Sequence, residues 1–421
     1  MIVELINTGS ELMLGRVLNT HQQWLCRQLA DLGYVVNRQV AVPDTGNDIL
    51  QAIREALARA DLIVATGGLG PTSDDLTRDL VAQLLGKKLR EDAEVLAHIT
   101  QFFTSRKRPM PEQTKVQALI PEGATVLHNP HGTAPGLAME VSPNAFRAGG
   151  KATWLIMLPG PPRELRPMFT DTVVPLLRRA LPLASKFVCG TLRTTGIGES
   201  VVQEKIGSPL QRYVDAGLDL GYCARPGQVD IRLASSAGDA ERQVQEAEAI
   251  VRELLEPHIY AVEDEDLEKV IVRLLTERKA TLALAESCTG GCVANRITNV
   301  PGASAVLLAG IVTYSNAAKE KFLGVRAETL AERGAVSKPV AREMAEGARQ
   351  QTQADYALAV TGIAGPSGGT TSKPVGTVFI GLAGPSGTVV VRNYNPYDRE
   401  TFKQVTTQQA LELLRRTLVS S

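Results

Sequence analysis

Leu62-Ile63-Val64-Ala65-Thr66-Gly67-Gly68-Leu69-Gly70-Pro71 takes an apolar strand straight into a glycine-rich loop. Near the other end of the chain, Thr281-Leu282-Ala283-Leu284-Ala285-Glu286-Ser287-Cys288-Thr289-Gly290-Gly291 does the same. Neither strand alternates apolar with polar residues, as expected when helices cover both faces of a parallel sheet. Loops leaving such strands gather at one edge of the sheet, where α/β folds bind ligands. Working outward, residues 2–6 read as another apolar strand, and Asn19 as the N-cap of a helix ending near Leu32, with Gly33 at its stop. Residues 48–60 place Ile49, Ile53, Ala56 and Leu57 on one helical face. Residues 154–158 form a strand running into Pro159-Gly160-Pro161-Pro162, with a helix from Arg163.

The rhythm changes over residues 186–262, which read as strand, helix, two strands, helix and strand, the order of a ferredoxin-like domain. With 8 basic and 11 acidic residues this stretch carries −3, which speaks for a spacer or dimer contact over an RNA-binding role. Glu263-Asp264-Glu265-Asp266 reads as a solvated linker. Leu267, Val270, Ile271, Leu274 and Leu275 then open an amphipathic helix, and residues 401–418 read as the closing helix of a third, again alternating, domain. The expected domains are 1–170, 171–262 and 263–421.

Composition narrows the class. In 421 residues, 45 Lys and Arg balance 45 Asp and Glu, which argues against a dedicated binder of nucleic acid or anionic membrane. A hydrophobic share of 44% excludes wholesale disorder, and only 4% aromatics leaves aliphatic side chains to fill the cores. No apolar run approaches the ~18 residues of a membrane helix. The N-terminus lacks a basic region and a cleavage site, and the five cysteines are scattered with no Cys-x-x-Cys pair. The expected compartment is the cytoplasm.

Ser287 stands where a helix dipole and backbone N–H groups favour negative charge, a place for a nucleophile or simply for an N-cap, a role open to Thr289 as well. In Val312-Thr313-Tyr314-Ser315-Asn316-Ala317-Ala318-Lys319, Tyr314 and Lys319 bracket the end of a strand expected to be buried and the start of the next helix. All five histidines precede this domain, so a Ser–His–Asp triad is impossible and the base of any serine hydrolase here must be Lys or Tyr. A desolvated Lys319 loses its proton more readily; a solvated one is an ordinary surface lysine. Residues 361–369, Thr361-Gly362-Ile363-Ala364-Gly365-Pro366-Ser367-Gly368-Gly369, make either a phosphate cradle or a turn. In the N-terminal half, Thr8-Gly9-Ser10-Glu11 and the loop of Gly67, Gly68 and Gly70 can wrap a pyrophosphate. Glu11, Asp74 and Asp75 offer oxygen ligands to a divalent cation, or cap a helix.

In order and spacing, residues 286–291, 312–319 and 361–369 resemble the nicotinamide-nucleotide amidohydrolase domain of the CinA family. The resemblance implies hydrolysis of nicotinamide mononucleotide to nicotinate mononucleotide and ammonia by a metal-free Ser/Lys apparatus. Ser287, Ser304, Tyr314, Lys319 and Thr361 match the active-site set. Ser287 is favoured as nucleophile with Ser304 its rival, Lys319 as base, and Tyr314 as proton relay or orienter. Thr289, Gly290, Gly362, Gly365 and Arg399 are expected to hold the nucleotide, with Lys403 where the family's second arginine is expected. The N-terminal half, including residues 159–164, is similar to the family's MoaB-like molybdopterin-binding domain. That likeness implies a three-layer α/β fold and metal-dependent ADP-ribose pyrophosphatase activity, with Glu11, Asp74 and Asp75 at a divalent metal and Gly67, Gly68 and Gly70 at the substrate. A homodimer handling these two nucleotides, with no membrane or nucleic-acid partner, completes the expectation. Two alternatives stand beside it: a pterin-binding module without turnover, and a competence or recombination accessory acting by protein contacts. Residues 143–151 read as a small loop extension.

Overall fold

The computed structural model describes residues 1–183, 187–263 and 265–420 in two compact units, 1–186 and 187–421.

The first unit is built on a six-stranded sheet in the order Val36–Val42, Val3–Thr8, Leu62–Thr66, Thr153–Leu158, Gly136–Val141, Thr125–Leu127. The first four strands are parallel, with Val64 paired to Leu5 and Ile156, and the last two antiparallel. The unbroken apolar runs have a direct explanation: successive residues face opposite layers. Ile63, Ala65, Leu155 and Met157 join the core under helices Gly46–Leu57 and Thr77–Leu84. Leu62, Val64, Ile156 and Leu158 join the core under Thr20–Asp31 and the helical run that starts at Pro162. The result is a three-layer α/β unit. Asn19 caps its helix as expected, accepting from Gln22 N at 3.1 Å.

Two expectations for this unit need revision. The boundary near residue 170 falls inside the helical run, which continues through Val174–Ala180 and buries Leu176 and Leu177 in the first unit's core. Residues 143–151 are more than a loop extension. Buried Asn144 donates to Leu57 O at 2.7 Å and Thr153 Oγ1 at 3.0 Å, and Arg147 reaches Ala60 O and the Asp61 carboxylate. With Lys151 and the backbone N–H of Ile2 also on Asp61, burial is outweighed and that carboxyl is held down at about 2.

The second unit holds two sheets. The smaller runs Asp219–Arg225, Gln228–Ser235, Val188–Thr195, Ile259–Val262, antiparallel throughout, with helices Glu199–Asp215 and Ala240–Leu255 packed on it through one shared core. This is the ferredoxin-like arrangement. The larger sheet runs Leu307–Val312, Leu282–Glu286, Tyr356–Gly362, Thr377–Gly384, Gly387–Tyr394, with the first three strands parallel. Leu282, Leu284, Leu358 and Val360 meet helices Leu267–Arg278 and Arg399–Ser420 on one face, while Ala283, Ala285, Ala357 and Ala359 meet Lys338–Thr352 on the other. Small residues let that helix press close: a Cβ on Gly381 would lie 2.5 Å from Ala341 O.

Here too the structure corrects the sequence. The strand Leu307–Val312 is an edge strand with Leu308 and Val312 about half exposed, not a buried one, because an apolar run alone does not tell edge from centre. The acidic linker is partly pinned: Arg193 binds Asp266 and donates to Glu263 O, and Arg273 holds Glu265; Asp264 lies outside the described residues. Among the described residues no helix is long and apolar enough to cross a membrane.

Gly381→Ala should lower the unfolding midpoint of the full chain in urea, costing about 1–3 kcal/mol through overpacking. An unchanged midpoint would mean that the helix can retreat from the sheet freely.

Candidate active site

Strand Leu282–Glu286 ends at the carboxyl edge of the larger sheet, between the strands that follow it in the chain on either side. Helix Cys292–Thr298 returns over one face, and helices Asn316–Leu323 and Lys338–Thr352 over the other. Such a reversal opens a crevice at the strand ends. Ser287 is the first residue past the strand, its N–H held by Val360 O at 3.0 Å.

Lys319 is brought to it from the second turn of helix Asn316–Leu323, which Ser315 caps by accepting from Ala318 N. Its Nζ lies 3.1 Å from Ser287 Oγ and donates to Thr313 O at 2.8 Å. The side chain is only 1% exposed, and among the described residues no carboxylate pairs with it. Burial therefore pulls its pKa below the usual ammonium range, with neighbouring Cys288 working the other way. The thiol of Cys288 is pushed up to about 12, chiefly by burial, so it is no competing nucleophile at neutral pH.

Sequence reasoning missed Glu286. Its buried carboxylate accepts from Gly291 N at 3.0 Å, Val293 N at 3.1 Å and Ala294 N at 2.8 Å, covering the first turn of helix Cys292–Thr298. The turn that carries Ser287 is thereby stapled to the helix, with Gly290 and Gly291 in left-handed backbone. An acidic residue five to eight positions ahead of bare helix N–H groups was the available signal.

The other expected residues scatter around this pair. Tyr314 is exposed, and its hydroxyl accepts from Arg399 Nη2 at 2.6 Å; Arg399 Nη1 donates to Gly365 O at 2.8 Å. Arg399 thus strings the Tyr314 segment to the loop after Gly362, and Lys403 on the same helix comes up to Gly290, with Nζ 3.9 Å from where a Cβ would sit. Thr361 is buried, its hydroxyl spent on Ala335 O at 2.9 Å. Thr289 and Thr313 are buried with hydroxyl oxygens that have no partner among the described residues. Ser304 is exposed in the turn Ala303–Ala305; the serine bonded to Lys319 is Ser287.

In the first unit, the loops after strands Val3–Thr8, Leu62–Thr66 and Thr153–Leu158 line a cavity of about 350 Å³ that includes Gly67, Gly68, Gly70, Glu11, Asp74 and Asp75. Gly68 has φ +68° and packs against Thr77 Oγ1, leaving no room for a side chain. Asp75 accepts from Thr72 N at 2.9 Å and from its hydroxyl, so it acts as a turn residue. Among the described residues no three His, Cys, Asp or Glu side chains are gathered closely enough to hold a metal ion. Glu11, Asp74 and Asp75 share a cavity without forming a ready cation site.

Three family models divide the chain between them. The CinA C-terminal domain matches residues 264–418, the "Probable molybdopterin binding domain" residues 4–179, and the "Damage-inducible protein CinA KH domain" residues 190–261. A CinA-like protein of Akkermansia muciniphila is 44% identical over 97% of this chain and 95% of its own. A CinA-like protein of Kosmotoga olearia is 42% identical over 100% and 99%. Among solved structures, the competence/damage inducible protein CihA from Agrobacterium tumefaciens is 42% identical, covering 36% of this chain and 93% of that one, with a TM-score of 0.35.

The lowered Lys319 pKa makes a stability prediction. Between that value and the unfolded value of about 10.4 the unfolded chain holds one proton more than the native chain, so stability rises with pH across this window. Urea unfolding at stepped pH should show this slope, about 1.4 kcal/mol per unit at most, and Lys319→Met should remove it. A variant with the same slope as the parent would show that Lys319 titrates normally.

Proposed function

As the chain belongs to the CinA family, we propose that its C-terminal domain hydrolyses the carboxamide of nicotinamide mononucleotide to nicotinate mononucleotide and ammonia. The observation that carries the reading is a lysine amine buried against a serine hydroxyl with no carboxylate paired to it among the described residues. The neutral Nζ takes the Ser287 proton as Oγ attacks the carboxamide carbon. The resulting ammonium then protonates the departing nitrogen, and ammonia leaves an acyl ester on Ser287. Water, deprotonated by the same amine, attacks the ester, giving the carboxylate and restoring the hydroxyl. Thr313 O orients the amine toward Oγ throughout. Arg399 and Lys403, near the N-terminus of the closing helix, supply positive charge for the nucleotide phosphate, with Gly362 at the end of its strand and Gly365, held by Arg399, in the loop that follows.

Purified protein should release ammonia from nicotinamide mononucleotide. Lys319→Ala and Ser287→Ala should each lose about a thousandfold in rate while Ser304→Ala loses far less. Loss on Ser304→Ala with Ser287→Ala active would transfer the nucleophile to Ser304. Full activity in Lys319→Ala would end the Ser/Lys mechanism. The rate should rise with pH through the lowered Lys319 value and level off below the ordinary lysine range.

The cavity of the first unit supports a second activity, cleavage of the ADP-ribose pyrophosphate to AMP and ribose 5-phosphate. Its glycine-lined wall allows close approach of backbone to phosphate. Chelation by EDTA should abolish this activity and spare the amidase; loss of both together would contradict two independent sites.

A further inference from the structure

Ser287 has a hydroxyl neighbour on each side. The ladders of the larger sheet run one rung past Glu286: Thr313 N donates to Glu286 O at 2.8 Å, and Ser287 N to Val360 O at 3.0 Å. Two residues earlier on the three strands, Ile311, Ala285 and Ala359 all pack into the core under helix Lys338–Thr352. Successive strand residues alternate between faces, so Thr313, Ser287 and Thr361 form a row on that same face. The two threonines differ in what their hydroxyls do. Thr361 donates to Ala335 O at 2.9 Å, whereas Thr313 Oγ1, on a residue 0% exposed, has no hydrogen-bond partner among the described residues.

Thr313 is also the residue whose carbonyl accepts from Lys319 Nζ, at 2.8 Å. The other hydrogen-bond neighbour of Nζ is Ser287 Oγ, at 3.1 Å. A neutral amine carries two N–H groups and a lone pair, while an ammonium carries three N–H groups that each need an acceptor. When Lys319 takes the Ser287 proton it therefore gains a donor inside a buried site. Charge-assisted hydrogen bonds are about twice as strong as neutral ones, and a charged donor left unmade there is costly. One N–H stays on Thr313 O and one points toward the atom that the proton must reach next. The third needs an acceptor.

Resting on the amidase reading of this pocket, we propose that Thr313 is a positioning residue whose hydroxyl accepts that third N–H while Lys319 holds the proton. The proton leaves Ser287 Oγ, resides on Nζ and passes to the departing nitrogen, and the Thr313 hydroxyl touches neither end of that path. It acts through Nζ, and it falls idle once the amine is neutral again. Help given to the charged state alone speeds the reaction without tightening substrate binding.

Ammonia release from nicotinamide mononucleotide by the full chain tests this with two variants. Thr313→Val keeps the shape and loses the hydroxyl; kcat should fall about tenfold with KM unchanged, the mark of an interaction made only in the transition state. Thr313→Ser should restore most of the rate. The urea midpoint of Thr313→Val should equal or exceed that of the parent, because in the free chain the hydroxyl bonds to nothing among the described residues. Parental kcat in Thr313→Val overturns the proposal and leaves the amidase reading intact. So does a raised KM at parental kcat, which would put the hydroxyl on the substrate, and so does a lowered midpoint, which would make it structural. A serine variant as slow as the valine one overturns it as well. A parent that releases no ammonia refutes the amidase reading, and this inference with it.

Discussion

The C-terminal half depends on one buried amine, that of Lys319. Lys319 sits in the interior with no carboxylate partner among the described residues, a place that is costly for a charged ammonium, and burial pulls its pKa down accordingly. The surrounding architecture keeps potential counter-charges away. Glu286, one residue before Ser287 and as buried as Lys319, would be the obvious partner, yet the backbone N–H groups of Gly291, Val293 and Ala294 hold its carboxylate. The same bonds fix the turn that presents Ser287, so charge segregation and positioning come from one interaction. Thr313 O completes the arrangement as an uncharged acceptor for the amine at 2.8 Å.

The two units use α/β architecture toward different electrostatic ends. In the second, two cationic side chains on the closing helix stand near the glycine loops, and the interior contributes a lysine whose pKa burial lowers. In the first, glycine loops at the same kind of strand edge share a cavity with five acidic side chains, of which Glu164 is paired with Arg163. A shared layout of strand, loop and helix therefore says little about which charge a ligand should bring. The side chains around the loops decide it.

Much of the layout was legible in the sequence. Continuous apolar strands flanked by helical periodicity gave the layered sheets, since a strand covered on both faces has no reason to alternate. The middle strand and helix order needed only turn spacing. The absence of histidine after residue 258 left lysine or tyrosine as the base of any serine hydrolase there before any contact was known. What could not be read were facts of long-range packing. Lys319 and Ser287 are 32 residues apart, and only the fold decides whether such a lysine faces solvent or a hydroxyl. The edge position of Leu307–Val312, the anchoring role of Asn144 and Arg147, and the capture of Glu286 by a helix end depend in the same way on neighbours distant in sequence or on three-dimensional course. Thr361 shows the reverse: the residue matched in sequence, but its hydroxyl is engaged with Ala335.

Helix Arg399–Ser420 links two places that must keep phase. Its first turns carry Arg399 and Lys403 to the mouth of the crevice. Farther along, Gln408 meets Gln228 and Arg296, and Arg416 meets Pro257 O. Each residue added to an α-helix turns everything beyond it by about 100°. A one-residue insertion between Lys403 and Gln408 would swing either the cationic end or the glutamine anchor to the wrong side of the rod. Length changes in this stretch are therefore tolerable only in steps close to whole turns, and the spacing of those two anchors is as much a part of the design as their chemistry.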